Sequence, residues 1–337
     1  MMNRRIVTSL AALTAIALAA PAKADVADFY RGKTITIMVP SGLGASLGIY
    51  ARILSAHMGG HIPGKPSIIL SERAGGGGVN GTLWAFNVAP RDGSLIAAIL
   101  APSVLAPVLH NAKFDATKFQ WIGSITPNPA TVAVWHTAPV KTVAEAQKTA
   151  ITVGATQFGS ETFITPQLMN ALLGTKFKII KGYKAGAELN KAMEQGEIQG
   201  RMSYWSGWLA VRPDWVRDGK IVQLLQYGPP IKQLANVPRF RDLVKDPEGK
   251  KMVQFLEVAN SVGIAYWVHP DVPADRIAAL RAAFNQTMKD PAFLSDAAKA
   301  RAGVDPVSAE ELHRTVSEGL DVSPTLIAHM KKALEFK

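Results

Sequence analysis

The stretch SGLGASLGIYAR at 41–52 carries two patterns that could do chemistry. Gly44-Ala45-Ser46-Leu47-Gly48 reads G-x-S-x-G, the strand-to-helix turn on which a hydrolase exposes a nucleophilic serine. Gly42, Gly44 and Gly48 have the spacing of a nucleotide-binding turn, whose backbone amides would face a pyrophosphate. A hydrolase elbow also needs an oxyanion hole from the loop of an earlier strand, then an acid and a histidine later in the chain. Only one strand precedes Ser46 once an N-terminal leader is set aside, and His269, His313 and His329 stand isolated. The dinucleotide pattern finds its acid at Glu72-Arg73, but this runs straight into Gly75 to Gly78, a second glycine cluster that a simple Rossmann unit does not require. No Gly-Lys-Ser/Thr follows either cluster, which excludes a Walker loop. His57 and His61 are four residues apart with Gly59-Gly60 between them and no cysteine or acidic cluster nearby, so no metal site is expected.

Both patterns contain one physical object, a Gly/Ser turn feeding a helix N-terminus. Its unpaired N–H groups sit at the positive end of the helix dipole and can hold a carboxylate or phosphate without doing chemistry. The surrounding elements position such turns twice. Thr34 to Val39 reads as a buried strand, and Leu47, Tyr50, Ala51, Leu54 and Met58 form one helical stripe with Ser46 at the N-cap and Gly59-Gly60 at the end. A strand at 67–70, the Gly75 to Gly78 cluster, a helix near 83–88 and a strand at 94–100 follow. In the second half, Thr142 to Glu145 makes a capping box, Ile151 to Ala155 a strand and Thr156 to Ser160 its turn. Thr165-Pro166 fits N-cap and first helical position of a helix closed by Gly174, with a start nearer Ser160 as the alternative. A strand at 177–181, a turn at 182–186, a helix ending at Gly196 and a strand at 198–203 complete the unit. Strands alternating with helices predict an α/β fold with mainly parallel sheets. The C-terminal part reads as packing helices. Without a low-complexity linker, crossing strands near 125–135 and 257–268 are expected to join two lobes.

Arg4 and Arg5, the apolar run Ile6 to Ala20 and Ala22-Lys23-Ala24 predict a secretory signal over 1–24, since the run falls short of the roughly 20 residues that span a bilayer. Its removal lowers the formal charge from +11 to +8 by taking away Arg4, Arg5 and Lys23. With no cysteine, the chain has neither disulfides nor a lipid anchor, and a periplasmic location is expected. Lysine and arginine are dispersed, with no run of four and no aromatic interleaving, so nucleic acid is not the expected partner.

FYRGKTITIMVP at 29–40, YAR at 50–52, HIPGKPSIILSERAGGGGVNG at 61–81, APRDGSLIA at 89–97, KGYKAGAELNKAMEQGEIQG at 181–200, RPDW at 212–215 and VPADRIAALRAAF at 272–284, in this order and spacing, resemble the Bug-type periplasmic receptors of tripartite tricarboxylate transporters. The similarity covers essentially the whole mature chain. It implies a type II periplasmic-binding fold with lobe I at 25–127 plus 262–337 and lobe II at 128–261, closing on a small organic carboxylate. It implies no catalysis and no cofactor, a monomer, and inner-membrane permease subunits as partners. Carried over by position, it implies ligand contacts from Ser41, Gly42, Ala45 and Ser46, from Gly76, Gly77 and Asn80, and from Thr156, Ser160, Tyr183 and Ser203. As alternatives, Ser46 and Ser160 cap helices, Tyr183 packs, and the glycines permit tight turns. An exported serine esterase using the Gly44-Ser46-Gly48 turn and a dinucleotide-binding oxidoreductase are the rival functions. Members of the family carry a glycine pair and then an acid before Ala-Arg, where this chain has Ala45-Ser46 and Gly48. Without that acid, amino-bearing ligands are less expected. Trp205 and Trp208 offer a stacking face for an aromatic acid, with core packing as the favoured role.

Overall fold

The computed structural model describes residues 26–157 and 160–334. The leader expected at 1–24 lies outside the described residues, as do Phe158 and Gly159. Ten strands form two sheets: β1 Thr34–Val39, β2 Ser67–Glu72, β3 Leu95–Ala98, β4 Gln120–Ser124, β5 Ala130–Trp135, β6 Ile151–Ala155, β7 Phe177–Lys181, β8 Gly200–Tyr204, β9 Ile221–Tyr227 and β10 Ala265–Val268. The sheet orders are β2-β1-β3-β10-β4 and β7-β6-β8-β5-β9. In the first, β10 runs antiparallel to both its neighbours; in the second, β5 does. The other four strands of each sheet share one direction. The strand arriving from the other sheet is thus the reversed one in each case, and the two halves have the same topology.

β1 is apolar at Ile35, Ile37, Met38 and Val39, where both of its faces are covered. Ile35, Ile37 and Val39 pack under the helix Ser46–Met58, while Met38 points into a separate core cluster. The predicted stripe on that helix is buried at Leu47, Tyr50, Ala51, Leu54 and Met58. Its N-cap is Ala45 rather than Ser46, and no side chain caps it. Ser46 therefore occupies the first helical position, because the turn closes one residue earlier through the Ala45 N–H on the Gly42 carbonyl at 2.9 Å. In the second half the helix runs Glu161–Leu173, with Gly174 closing it at φ 71°. Thr165-Pro166 lies inside. The start is anchored upstream, since Phe163 and Ile164 donate to the Ser160 carbonyl and the Thr162 hydroxyl accepts from the Thr156 N–H.

One expectation about the junction is corrected. Residues 257–262 are not strand but the end of the helix Pro247–Val262, which Asp246 caps by accepting from the Gly249 N–H. Apolar residues at helical spacing, among them Met252, Leu256, Ala259 and Val262, hold it in the core. The two sheets are joined by short segments on either side of this helix end. Ile125 donates to the Ile264 carbonyl at 2.9 Å, Ile264 to Thr126 at 3.0 Å, Asn128 to Asn260 at 2.8 Å, and the Asn260 amide back to Asn128 at 3.1 Å. An apolar cluster runs through both sheets beside the helix, from Met38 and Trp267 through Phe255 to Val132 and Leu225. Trp205, Trp208 and Trp215 are buried in a third cluster, where the Trp208 indole donates to Thr131, so Trp208 serves packing. Among the described residues no helix is long and apolar enough to cross a membrane.

Gly48 is a steric requirement of the first loop. A Cβ there would overlap the backbone of Leu43, so the loop as folded has no room for a side chain at this position. Gly48→Ala is expected to cost about 2 kcal/mol, read from the urea midpoint at unchanged slope. Wild-type stability in this variant would mean that the loop relaxes freely.

Candidate ligand cleft

Four successive glycines, Gly75, Gly76, Gly77 and Gly78, follow β2 at φ 129°, 56°, 62° and 93°, a path that side chains rarely adopt. They deliver the chain to the helix Val79–Asn87, whose first turn has no side-chain cap. Asn80 folds back over them, so that a Cβ on Gly75 would lie 2.8 Å from its Nδ2. The first loop is tied to the same wall, since the Leu43 N–H donates to Glu72 Oε2 at 3.0 Å. On the facing side, the hydroxyls of Thr156 and Ser160 meet that of Thr162 at 3.1 and 2.7 Å and fix the turn after β6.

Between these walls lies a cavity of about 570 Å³. Gly76, Gly77 and His110 reach it from one lobe; Ser160, Glu161, Arg201, Ser203 and Tyr204 reach it from the other. Arg201 is 6% exposed and sits in the middle of a sheet, on β8 between β6 and β5. Its Nη1 donates to the Gly186 carbonyl at 2.7 Å and to Asn190 Oδ1 at 3.0 Å, its Nη2 to Ser203 Oγ at 2.7 Å and its Nε to the Met202 carbonyl at 3.1 Å. Every one of these acceptors is neutral, and among the described residues no carboxylate pairs with it. Burial lowers its pKa to about 10, so it stays charged at neutral pH. A guanidinium has five N–H donors, and these contacts leave one on Nη2. Ser203, accepting from Arg201, keeps its own proton to donate. The arrangement is a cation with spare donors at the edge of a solvent-reached cavity, which can hold a carboxylate.

Glu161 lines the same cavity and accepts a hydrogen bond from the Tyr204 hydroxyl. Burial raises its pKa to about 7, opposed by that hydrogen bond, and burial also pushes Tyr204 well above the usual tyrosine value. An acid with a raised folded-state pKa holds a proton where the unfolded chain has lost it, so its contribution to stability falls as pH rises from about 4.5 to about 7. Glu161→Gln is therefore expected to gain stability relative to wild type at pH 8 compared with pH 5 in parallel denaturant titrations. An equal difference at both pH values would show that Glu161 titrates normally.

The residues anticipated from sequence divide. Gly76, Gly77, Ser160 and Ser203 line the cavity. Ser46 lines a second interlobe cavity of about 510 Å³, beside the crossing segment Thr126 to Pro129 and Trp205, with Arg301 and Asp305 but no histidine in its wall. Asn80 faces a surface hollow with Glu72, Arg73 and Trp84. Ser41, Gly42, Ala45 and Thr156 lie on the turns without lining either interlobe cavity, and the buried Ser41 Oγ has no hydrogen-bond partner among the described residues. Tyr183 donates to Glu197 Oε1 at 2.6 Å and packs at the edge of the tryptophan cluster. Arg201, Glu161 and Tyr204 were not anticipated. A lone arginine inside the otherwise strand-like Ile198 to Ser203 is the one sequence signal that could have flagged the first.

Solved structures of similar fold include the following three. A TctC solute-binding protein from Polaromonas aligns at a TM-score of 0.68 and 18% identity, over 91% of this chain and 99% of that one. This is the fold of a two-lobed periplasmic binding protein. The periplasmic binding protein BugD aligns at 0.62 and 17% identity over 90% and 98%. MatC from Rhodopseudomonas palustris, with bound malate, aligns at 0.61 and 17% identity over 90% and 99%. No family model and no curated protein matches the sequence. In this binding-protein fold the reversed strand of each sheet follows directly from a crossing segment, and the carboxyl ends of the parallel strands face a common cleft.

Proposed function

We propose that the chain is a non-catalytic periplasmic receptor that captures a small organic carboxylate in the cleft and presents it to inner-membrane permease subunits of a tripartite tricarboxylate-type transporter. The observation that carries the reading is Arg201: a buried cation paired only with neutral acceptors, opening on a cavity that both lobes wall. A buried charge without a counter-ion is costly, and a ligand carboxylate supplies the counter-ion. The glycine turn at Gly76 and Gly77 supports the reading from the opposite wall, where backbone amides approach the ligand closely. The fold shared with TctC, BugD and malate-bound MatC supports the receptor class, and the basic, apolar N-terminal segment supports export.

Lobe I comprises 25–127 and 262–337, lobe II comprises 128–261, and the receptor acts as a monomer. Ligand drives the population toward the closed form by binding it better. The experiment is a melting screen of carboxylates with the mature protein. A ligand present at a hundred times its dissociation constant adds about 2.7 kcal/mol to stability, a shift of several degrees. A screen in which no carboxylate moves the melt, while an ester is hydrolysed in a Ser46-dependent way, would replace the receptor with a hydrolase.

A further inference from the structure

Resting on that reading, we propose that the ligand is a zwitterion: a carboxylate for Arg201 and an ammonium for Glu161 borne on one carbon, with an apolar side chain reaching into the rest of the cavity, as in an apolar amino acid. The two side chains line one cavity, and each lacks an opposite charge. Arg201 donates only to the Gly186 and Met202 carbonyls, Asn190 and Ser203. Glu161 accepts from the Tyr204 hydroxyl, and among the described residues no lysine, arginine or histidine pairs with it. The other titratable groups around Glu161 are Tyr204 on β8 and Tyr227 on β9, both held protonated by burial, with His110 on the opposite wall of the cavity.

Ligand charge decides among the candidates. A simple monocarboxylate neutralises Arg201 and leaves Glu161 without a partner. A dicarboxylate brings a second anion into a cavity that already holds one. A zwitterion gives the buried Arg201 and the half-buried Glu161 a counter-charge each and adds no net charge, the outcome that the desolvation cost of each favours. The remaining wall suits an apolar body, since Leu100, Leu105, Leu109, Ile164 and Leu256 line it. The sequence expectation against amino-bearing ligands is reversed in this proposal.

Matched probes test it: L-leucine against 4-methylpentanoate and L-phenylalanine against 3-phenylpropanoate, each pair differing by the ammonium group, with malate as the dicarboxylate. Dissociation constants are read by calorimetry at pH 8. At least one amino acid is expected to bind about tenfold or more tightly than its deaminated partner. Glu161→Gln is expected to remove that preference, bringing the dissociation constants of the amino acid and its deaminated partner to within about threefold of each other. A plain acid or malate binding better than both amino acids overturns the zwitterion and leaves the carboxylate receptor intact. An amino-acid preference unchanged in Glu161→Gln also overturns it. Absence of binding by every probe, in wild type and variants alike, removes the receptor reading and this one together.

Discussion

Arg201→Met is expected to abolish ligand-induced stabilisation while the protein remains folded. The guanidinium offers its spare Nη2 donor toward the cavity and polarises Ser203, which accepts from it at 2.7 Å. Methionine fills a similar volume without charge or donors. Loss of one partner of a buried, hydrogen-bonded charge pair costs about 2 to 5 kcal/mol of binding, roughly 30-fold to several thousand-fold in affinity. Calorimetry with the best ligand from the screen checks this, with circular dichroism confirming the fold. Ser203→Ala serves as a milder second variant. It keeps the arginine and removes one donor, and an affinity loss of about tenfold is expected. Arg201→Lys retains the charge but not the fork that reaches Gly186, Asn190 and Ser203 together, so partial binding at best is expected. Undiminished affinity in Arg201→Met would remove Arg201 from the site.

The second large effect lies at the junction of the lobes. Gly263 has φ 56° and ψ −124°, a conformation in which an L side chain is strained, and a Cβ there would overlap the Thr126 carbonyl oxygen. That carbonyl accepts from Ile264 and belongs to the ladder that ties the two crossing segments. The overlap is with backbone on both sides, so neither partner can rotate away. Gly263→Ala is expected to lose about 3 kcal/mol or more, measured by urea unfolding. Because Ile125 and Ile264 carry the connection between sheets, the variant should also expose the junction amides to faster hydrogen exchange than the centre of either sheet. Near wild-type stability would mean that the crossing segments are not a fixed hinge.

The elements that build the turns were legible because their signals are local. β1, the stripe from Leu47 to Met58 and the strand at 151–155 combine a strong apolar pattern with glycines at or near their ends. The glycine cluster was equally plain, since four glycines in a row have few uses other than a backbone path closed to other residues. Element ends were less so. Ser46 looked like a cap because its type suits one, yet the Ala45 to Gly42 hydrogen bond moved the helix start. Thr165-Pro166 looked like a start, yet the Thr162 hydroxyl anchored the helix earlier.

Arg201 was out of reach for a different reason. In sequence it is one arginine in a short strand, and such a residue commonly lies on an edge. Only the sheet order places β8 between β6 and β5, and only the return of the chain at Gly186 and Asn190 encloses the guanidinium with neutral acceptors. Its meaning depends on the absence of a carboxylate among neighbours far apart in the chain. Glu161 was hidden similarly: it follows Ser160, whose type drew attention, and its partner Tyr204 is 43 residues away.

A crystal structure of the protein with its tightest ligand tests the central claim most directly. The ligand is predicted in the cavity between Gly76-Gly77 and Ser160, with a carboxylate oxygen within hydrogen-bonding distance of the Arg201 guanidinium and of Ser203 Oγ. A ligand seated instead in the second interlobe cavity beside Ser46, Asn128 and Trp205, with Arg201 untouched, would contradict it.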